Sequence, residues 1–285
     1  MNISLDKKEK LLSLDKEVQQ HAPQMVSLVK SATISLEKKG MLGHTAQVAL
    51  VLDISASMDA LYKNGKVQTL VERALALASR FDDNGAIDVF LFGVDAHDVG
   101  ELRVPNINGY VKTLMQSHPL EGGTRYTKAI DAVMQHYFPN RKRGAPTRAE
   151  LPVYALFVTD GESQDTHETA QHMKEASHLP IYWQFVGIGR SNRSADTMLR
   201  QAAAPAAKPG FFGRLFGGGA APAKGHTDFS FLERLDELPG RLIDNAGFFS
   251  VADPASTPEQ DLYDLLMFEY PDYLTAARAK GLLPS

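Results

Sequence analysis

Asp53, Ser55 and Ser57 stand at alternate positions of the segment Asp53-Ile54-Ser55-Ala56-Ser57-Met58. In an extended or loop conformation alternate side chains point the same way, so one carboxylate and two hydroxyls can converge on a point. A set made only of oxygens is hard: it suits magnesium, manganese or calcium, and not zinc or copper. Two further segments offer matching groups. Gly122-Gly123-Thr124 carries a hydroxyl on a glycine-flexible loop, and Thr159-Asp160-Gly161 carries a second carboxylate. Taken singly, each piece also has an ordinary reading. Asp-x-Ser-x-Ser fits a helix cap or an Asx turn, Thr124 fits a helix N-cap, and Asp160-Gly161 fits a strand-to-loop turn. Together and in this order, Asp53, Ser55, Ser57, Thr124 and Asp160 read as a site for one divalent cation.

The elements that must position these groups are legible around them. Val48-Ala49-Leu50-Val51-Leu52 runs directly into Asp53, and Val153 to Val158 runs directly into Thr159-Asp160. Both are continuous apolar runs, as expected of strands buried on both faces. Ile87 to Phe92, Ile181 to Ile188 and Phe248 to Val251 read as further strands, and Val94 to Val104 as a hairpin or edge strand. Helical stripes lie between them: Val67, Leu70, Val71, Ala74, Leu75, Ala78 and Phe81 on one face, then segments at Thr127 to Tyr137, Thr166 to Ser177 and Phe231 to Leu235. Gln260 to Lys280 reads as a C-terminal helix that Pro271 bends or splits. Alternation of this kind predicts an α/β fold: a Rossmann-like doubly wound, mainly parallel sheet with helices on both faces. Ligands of such sheets bind outside the carboxyl ends of the strands, where Asp53 and Asp160 fall.

Residues 1–40 read as an N-terminal helical arm, and 41–285 as one domain interrupted at about 201–225. Gln201 to Gly225 holds 8 Ala, 6 Gly and 3 Pro and no acidic residue. That composition predicts a flexible insert, because it cannot bury enough apolar surface to offset its ordering entropy. Within it, Phe211-Phe212-Gly213-Arg214-Leu215-Phe216 reads either as a sticky linker or as a short docking peptide. The whole chain of 285 residues is 44% hydrophobic and 22% charged, the composition of a globular protein with a sizeable core. Its net charge of −4 is too mild to point to nucleic acid or an anionic membrane as the main partner. The absence of cysteine excludes disulfides, thiolate zinc sites and cysteine nucleophiles. Met1 to Lys10 lacks the apolar stretch of a secretory signal, and no apolar run approaches a membrane span, so a cytoplasmic protein without an anchor is expected.

The order and spacing of Asp53, Ser55, Ser57, Thr124 and Asp160 resemble the metal-ion-dependent adhesion site of von Willebrand factor A (vWA) domains, over at least Ala46 to Gly189. Several segments look like the vWA domains of bacterial tellurium-resistance (TerF-type) stress proteins. These are Val51 to Met58 with Leu61-Tyr62-Lys63, Phe81 to Gly85, Tyr182 to Gly189, Asp244 to Phe249, Leu262 to Leu266 and Glu269 to Leu274. Ala56 departs from the pattern, where the family often has glycine. The resemblance implies the vWA fold, with Ser55, Ser57 and Thr124 as direct ligands and Asp53 and Asp160 bound directly or through water. The cation it implies is magnesium foremost, with manganese or calcium as alternatives. One coordination position is left open for a carboxylate of a protein partner, in a stress-response setting, with no catalytic residue.

The competing reading is a magnesium-dependent phosphohydrolase or phosphotransferase. Such enzymes need a second carboxylate two residues after the first, to act as general acid; here that position is Ser55. A third reading is a structural vWA domain with an unused site. Weaker candidates are Gly187-Ile188-Gly189 as a dinucleotide loop lacking its third glycine, and Asp95, His97 and Asp98 as metal ligands at a hairpin turn. Glu162, Asp165, His167 and Glu168 read as a solvated helix start or as tuning of partner approach, and Arg141-Lys142-Arg143 as a solvated basic run.

Overall fold

The structure, a computed structural model, describes residues 4–81, 85–161, 163–191, 193–202 and 227–285. Six strands form one sheet: β1 (Gln47–Asp53), β2 (Ala86–Phe92), β3 (Ala96–Arg103), β4 (Val153–Thr159), β5 (Ile181–Ile188) and β6 (Ala246–Val251). Their order is β3-β2-β1-β4-β5-β6. Every pairing is parallel except β2 with β3, which is an antiparallel edge hairpin with a bulge between Asp88 and Phe90. From β1 the chain winds first to one side and then, through β4, to the other. The order therefore reverses between β1 and β4, the crevice that this fold class uses for ligands.

The alternation of side chains along each strand feeds two cores. Leu50 and Leu52 of β1, Tyr154, Leu156 and Val158 of β4 and Tyr182 and Val186 of β5 face one layer. That layer holds α2 (Val26–Lys38), α4 (Lys66–Phe81), α10 (Glu259–Leu266) and α11 (Tyr270–Ala279). Ala49, Val51, Phe92, Phe157, Trp183 and Phe185 face the other. There they meet α6 (Tyr126–Tyr137), α7 (Thr166–Ala176) and α9 (Ser230–Asp236). Such two-sided burial is why these strands are apolar throughout.

The remaining helices are α1 (Leu5–His21), α3 (Asp59–Lys63), α5 (Tyr110–Ser117) and α8 (Ala195–Ala202). Val18 of α1 and Leu28, Val29, Ala32 and Leu36 of α2 belong to the same buried cluster as β1 and β4. The expected C-terminal helix is two helices, with Pro271 in the first turn of the second, where a missing N–H costs nothing. α8 carries helix through Gln201 and Ala202, the first two positions of the Ala/Gly/Pro stretch. The rest of that stretch, with Phe211 to Phe216, lies outside the described residues.

Candidate metal centre

Asp53 ends β1 and is fully buried. Its Oδ1 accepts the backbone N–H of Ser55 at 2.7 Å, an Asx turn that leads from the strand end into a 3-10 turn over Ala56–Met58, which carries Ser57. Its Oδ2 accepts the Thr159 hydroxyl at 2.6 Å, which ties the end of β1 to the end of β4. The Tyr62 hydroxyl from α3 donates to the Asp53 carbonyl at 2.8 Å and fixes the turn from below. The Ser55 and Ser57 hydroxyls lie 3.0 Å apart, and Ser57 Oγ donates to Asp160 Oδ1 at 2.8 Å. Asp53, Ser55, Ser57 and Asp160 thus form one hydrogen-bonded run, joined through the Ser55 N–H and then through hydroxyls, from the buried Asp53 and Ser55 to the exposed Ser57 at its mouth.

Thr124 sits on the loop docked against this run. Glu121 forms a parallel bridge with Ser55, and its N–H donates to the Ile54 carbonyl at 2.7 Å. The Thr124 carbonyl accepts the Gln164 N–H at 2.9 Å, joining the loop to the segment after Asp160. The Thr124 side chain is half-buried, and no hydrogen bond links its hydroxyl to the other four groups.

Burial pushes the Asp53 carboxyl up to about 6, against the hydrogen bonds from Ser55 and Thr159 and with a further push from the charge of Asp160. Burial also raises Asp160, opposed by its bond from Ser57. No cationic side chain figures among the groups acting on either carboxylate. Two partly desolvated carboxylates beside two hydroxyls make a hard, oxygen-only donor set of the kind that fits a divalent cation. Among the described residues no group of three or more His, Asp or Glu side chains is placed to hold a metal. A set of two carboxylates and three hydroxyls contains only two residues of those types.

The weaker candidates fall apart spatially. His97 and Asp98 lie within β3 and diverge: His97 Nε2 meets Glu121 Oε1 at 2.7 Å, and Asp98 Oδ2 meets His136 Nδ1 at 2.8 Å. Gly187 and Gly189 make room for neighbouring side chains. A Cβ on Gly187 would fall 2.8 Å from the Phe229 ring, and one on Gly189 2.3 Å from Thr227 Oγ1. Asp165 is no solvated helix start. It accepts the backbone N–H groups of Tyr126 and Thr127 at 3.1 and 3.2 Å, and the hydroxyls of Thr127, Ser163 and Thr169. Burial works to raise its carboxyl, but these bonds outweigh it and hold the group below the usual carboxylate range. Glu162 lies outside the described residues.

Glu121 is the residue that sequence reasoning missed outright, and nothing in its spacing marks it. Thr159 was visible only as the neighbour of Asp160, Tyr62 only within a matching segment, and Asp165 only as the acidic start of its own helix. Burial works to raise Glu121 too, and the bonds from His97 and from the N–H groups of Asp95 and Val94 more than offset it.

The chain matches a family described as vWA-TerF-like, the vWA domain found in the TerF C terminus, over residues 45–203 and 193–283. It is 32% identical over 257 residues to the uncharacterized protein YcbR of Bacillus subtilis (strain 168), covering 89% of this chain and 88% of that one. Among solved structures it is similar to the ArnB paralog VWA2 from Sulfolobus acidocaldarius, with a TM-score of 0.39 and 13% identity over 78% of this chain. The chain spans 44% of the length of that protein. It is also similar to an aerotolerance-related membrane protein from Bacteroides fragilis NCTC 9343, with a TM-score of 0.45, 16% identity, and 78% and 98% of the two chains covered.

Proposed function

We propose a function from one premise: the chain belongs to the vWA-TerF-like family, the vWA domains of the kind found at the C terminus of TerF. It acts as a metal-dependent binding module and not as an enzyme. Ser55, Ser57 and Thr124 hold a divalent cation, magnesium foremost, with Asp53 and Asp160 bound directly or through water. The remaining coordination position takes a carboxylate from a partner protein. The observation that carries this reading is the hydrogen-bonded run from Asp53 through Ser55 and Ser57 to Asp160 at the sheet's switch point.

The chemistry of the set supports capture of an anion. Hydroxyl ligands add no charge, so a cation held mainly by them keeps its demand for an anionic ligand. Bound there, the cation would bridge protein and partner; without it, Asp53 and Asp160 repel an incoming carboxylate. Ser55 stands where a phosphohydrolase of a related fold needs a general acid, and a serine hydroxyl does not do that work at neutral pH. No helix among the described residues is long and apolar enough to cross a membrane. Family membership supports a place in a cytoplasmic stress-response assembly of the tellurium-resistance kind.

The test is co-precipitation from a host lysate at fixed ionic strength, with magnesium or with chelator, using wild type, Asp53→Ala and Asp160→Ala, each checked by circular dichroism. Wild type should capture partners only with magnesium, and the two folded variants should capture none. Capture of the same partners by folded Asp53→Ala in chelator would show that recognition lies elsewhere.

A further inference from the structure

We propose that Glu121 is a positioning residue of this centre: it bolts the Gly122–Thr124 loop to the end of β1 and to the β2–β3 turn, and so sets where the Thr124 hydroxyl stands. The inference rests on the metal reading above. Thr124 is the one member of the five whose side chain has no hydrogen bond within the set. Its loop begins with two glycines, which bring no stiffness of their own. Its position must therefore come from what anchors the loop.

Glu121 supplies that anchor from both its backbone and its carboxylate. Its N–H donates to the Ile54 carbonyl at 2.7 Å, and it pairs with Ser55 in a parallel bridge. Its Oε2 accepts the N–H groups of Val94 and Asp95 at 2.5 and 3.1 Å, while its Oε1 meets His97 Nε2 at 2.7 Å. The Arg125 N–H closes the other side of the loop on the Gly93 carbonyl at 2.8 Å. Gly93 is an independent sign that this seat is built for Glu121. A Cβ at position 93 would fall 2.6 Å from Glu121 Oε2 and 2.7 Å from its Cβ. Gly93 is not among the glycines with positive φ, so the space, and not the backbone angle, is what excludes a side chain there. Beyond Thr124 the Tyr126 and Thr127 N–H groups are held by Asp165. The loop is pinned at both ends, and the Glu121 end lies against Ser55 itself.

The test is a manganese titration of the full chain, read by the spin resonance of free manganese, for wild type, Glu121→Ala, Glu121→Gln and Gly93→Ala. Amide exchange of residues 121–125 is followed in parallel in chelator. Glutamine still offers an oxygen to the turn and an N–H to His97, so it keeps the anchor and removes only the charge. Glu121→Ala and Gly93→Ala should weaken manganese binding about tenfold or more, the usual cost of losing support behind a ligand, while Glu121→Gln stays within about threefold. The same two variants should speed exchange of the loop amides without metal. Equal weakening in Glu121→Gln and Glu121→Ala would mean that charge acts through space, and would overturn positioning. So would unchanged binding and exchange in Glu121→Ala. If Glu121→Ala does not fold, loss in Gly93→Ala with retention in Glu121→Gln supports the proposal, and retention in both overturns it. A folded wild type that binds no manganese sinks the metal reading; loop exchange in chelator then decides the anchor alone, and unchanged exchange in Gly93→Ala overturns it.

Discussion

At the scale of single residues, Asp53 carries the largest electrostatic cost in the site. A carboxylate with no exposed surface and no cation beside it is destabilising when ionised, because hydrogen bonds from Ser55 and Thr159 replace only part of its hydration. Asn at this position keeps the shape, still accepts the Ser55 N–H through Oδ1, can meet the Thr159 hydroxyl only with that bond reversed, its amide N–H donating, and removes the charge. In chelator, Asp53→Asn should therefore melt higher than wild type, by about 3 °C for each kcal/mol recovered. With saturating magnesium the ranking should invert, since a ligand that binds only the folded state at about 100 times its dissociation constant adds about 2.7 kcal/mol to wild type alone. Differential scanning calorimetry in the two buffers decides it. A metal-free Asp53→Asn that melts below wild type would show that the carboxylate is already well solvated by the fold.

At the scale of elements, α2 is built into the sheet's own core and laced to α10. Ser27 and Ser31 donate to Glu259 at 3.0 and 3.1 Å, Ser35 donates to Asp264 at 2.5 Å, and Lys38 meets the same carboxylate at 2.9 Å. The serines recur every four residues, so they share one helix edge, while Leu28, Ala32 and Leu36 fill the buried stripe beside them. Burial outweighs the polar row in stability, because a net hydrogen bond contributes about 1 kcal/mol and a buried leucine truncated to alanine costs about 2–5 kcal/mol. Leu36→Ala, at 1% exposure, should lower urea stability by about 3 kcal/mol, and Ser31→Ala by under about 1 kcal/mol. Equal, small effects would mean that α2 is only loosely attached.

At the scale of the whole molecule, His44 is the joint where distant parts of the chain meet. Lys7 of α1 donates to its carbonyl, its Nε2 lies 2.9 Å from the Tyr270 hydroxyl of α11, and its ring packs edge-on against Phe81 of α4. Burial, then the positive charges of Lys7 and Arg278, lower the His44 ring from 6.5 to about 4. The folded ring is therefore neutral where the unfolded one takes a proton. The stability this represents is fully present above pH 6.5 and is lost as pH falls from 6.5 toward 4. The loss by pH 4 should be on the order of 2 kcal/mol, less than the ceiling set by the shift because the ring is only partly enclosed. His44→Gln, which cannot titrate, should flatten that interval of the profile. Parallel wild-type and variant curves between pH 4 and pH 6.5 would remove His44 as the cause.

The sequence by itself determined the strands that carry Asp53 and Asp160, because burial on both faces forces a continuous apolar run, and runs this short bounded by loop residues suit a strand better than a buried helix. The sequence placed Asp53, Ser55 and Ser57 at one strand end, but the extended alternation expected there is not what gathers them: an Asx turn at Asp53 and a 3-10 turn over Ala56–Met58 do so. Pro271 splitting the C-terminal helix was equally local. Only the tertiary structure decided what depends on segments far apart in the chain. Thr159 seals Asp53, Glu121 and His97 hold the Thr124 loop, and Asp165 ties α6 to α7, all through bonds that span 24 to 106 positions and leave no period to read. Asp165 shows the reason most directly. Its spacing from Thr166 and Glu168 marks it as the acidic start of its own helix, yet its carboxylate serves the first turn of another. An acceptor goes to whichever unsatisfied N–H groups the packing brings near, and that is settled by the sheet order and not by the chain order.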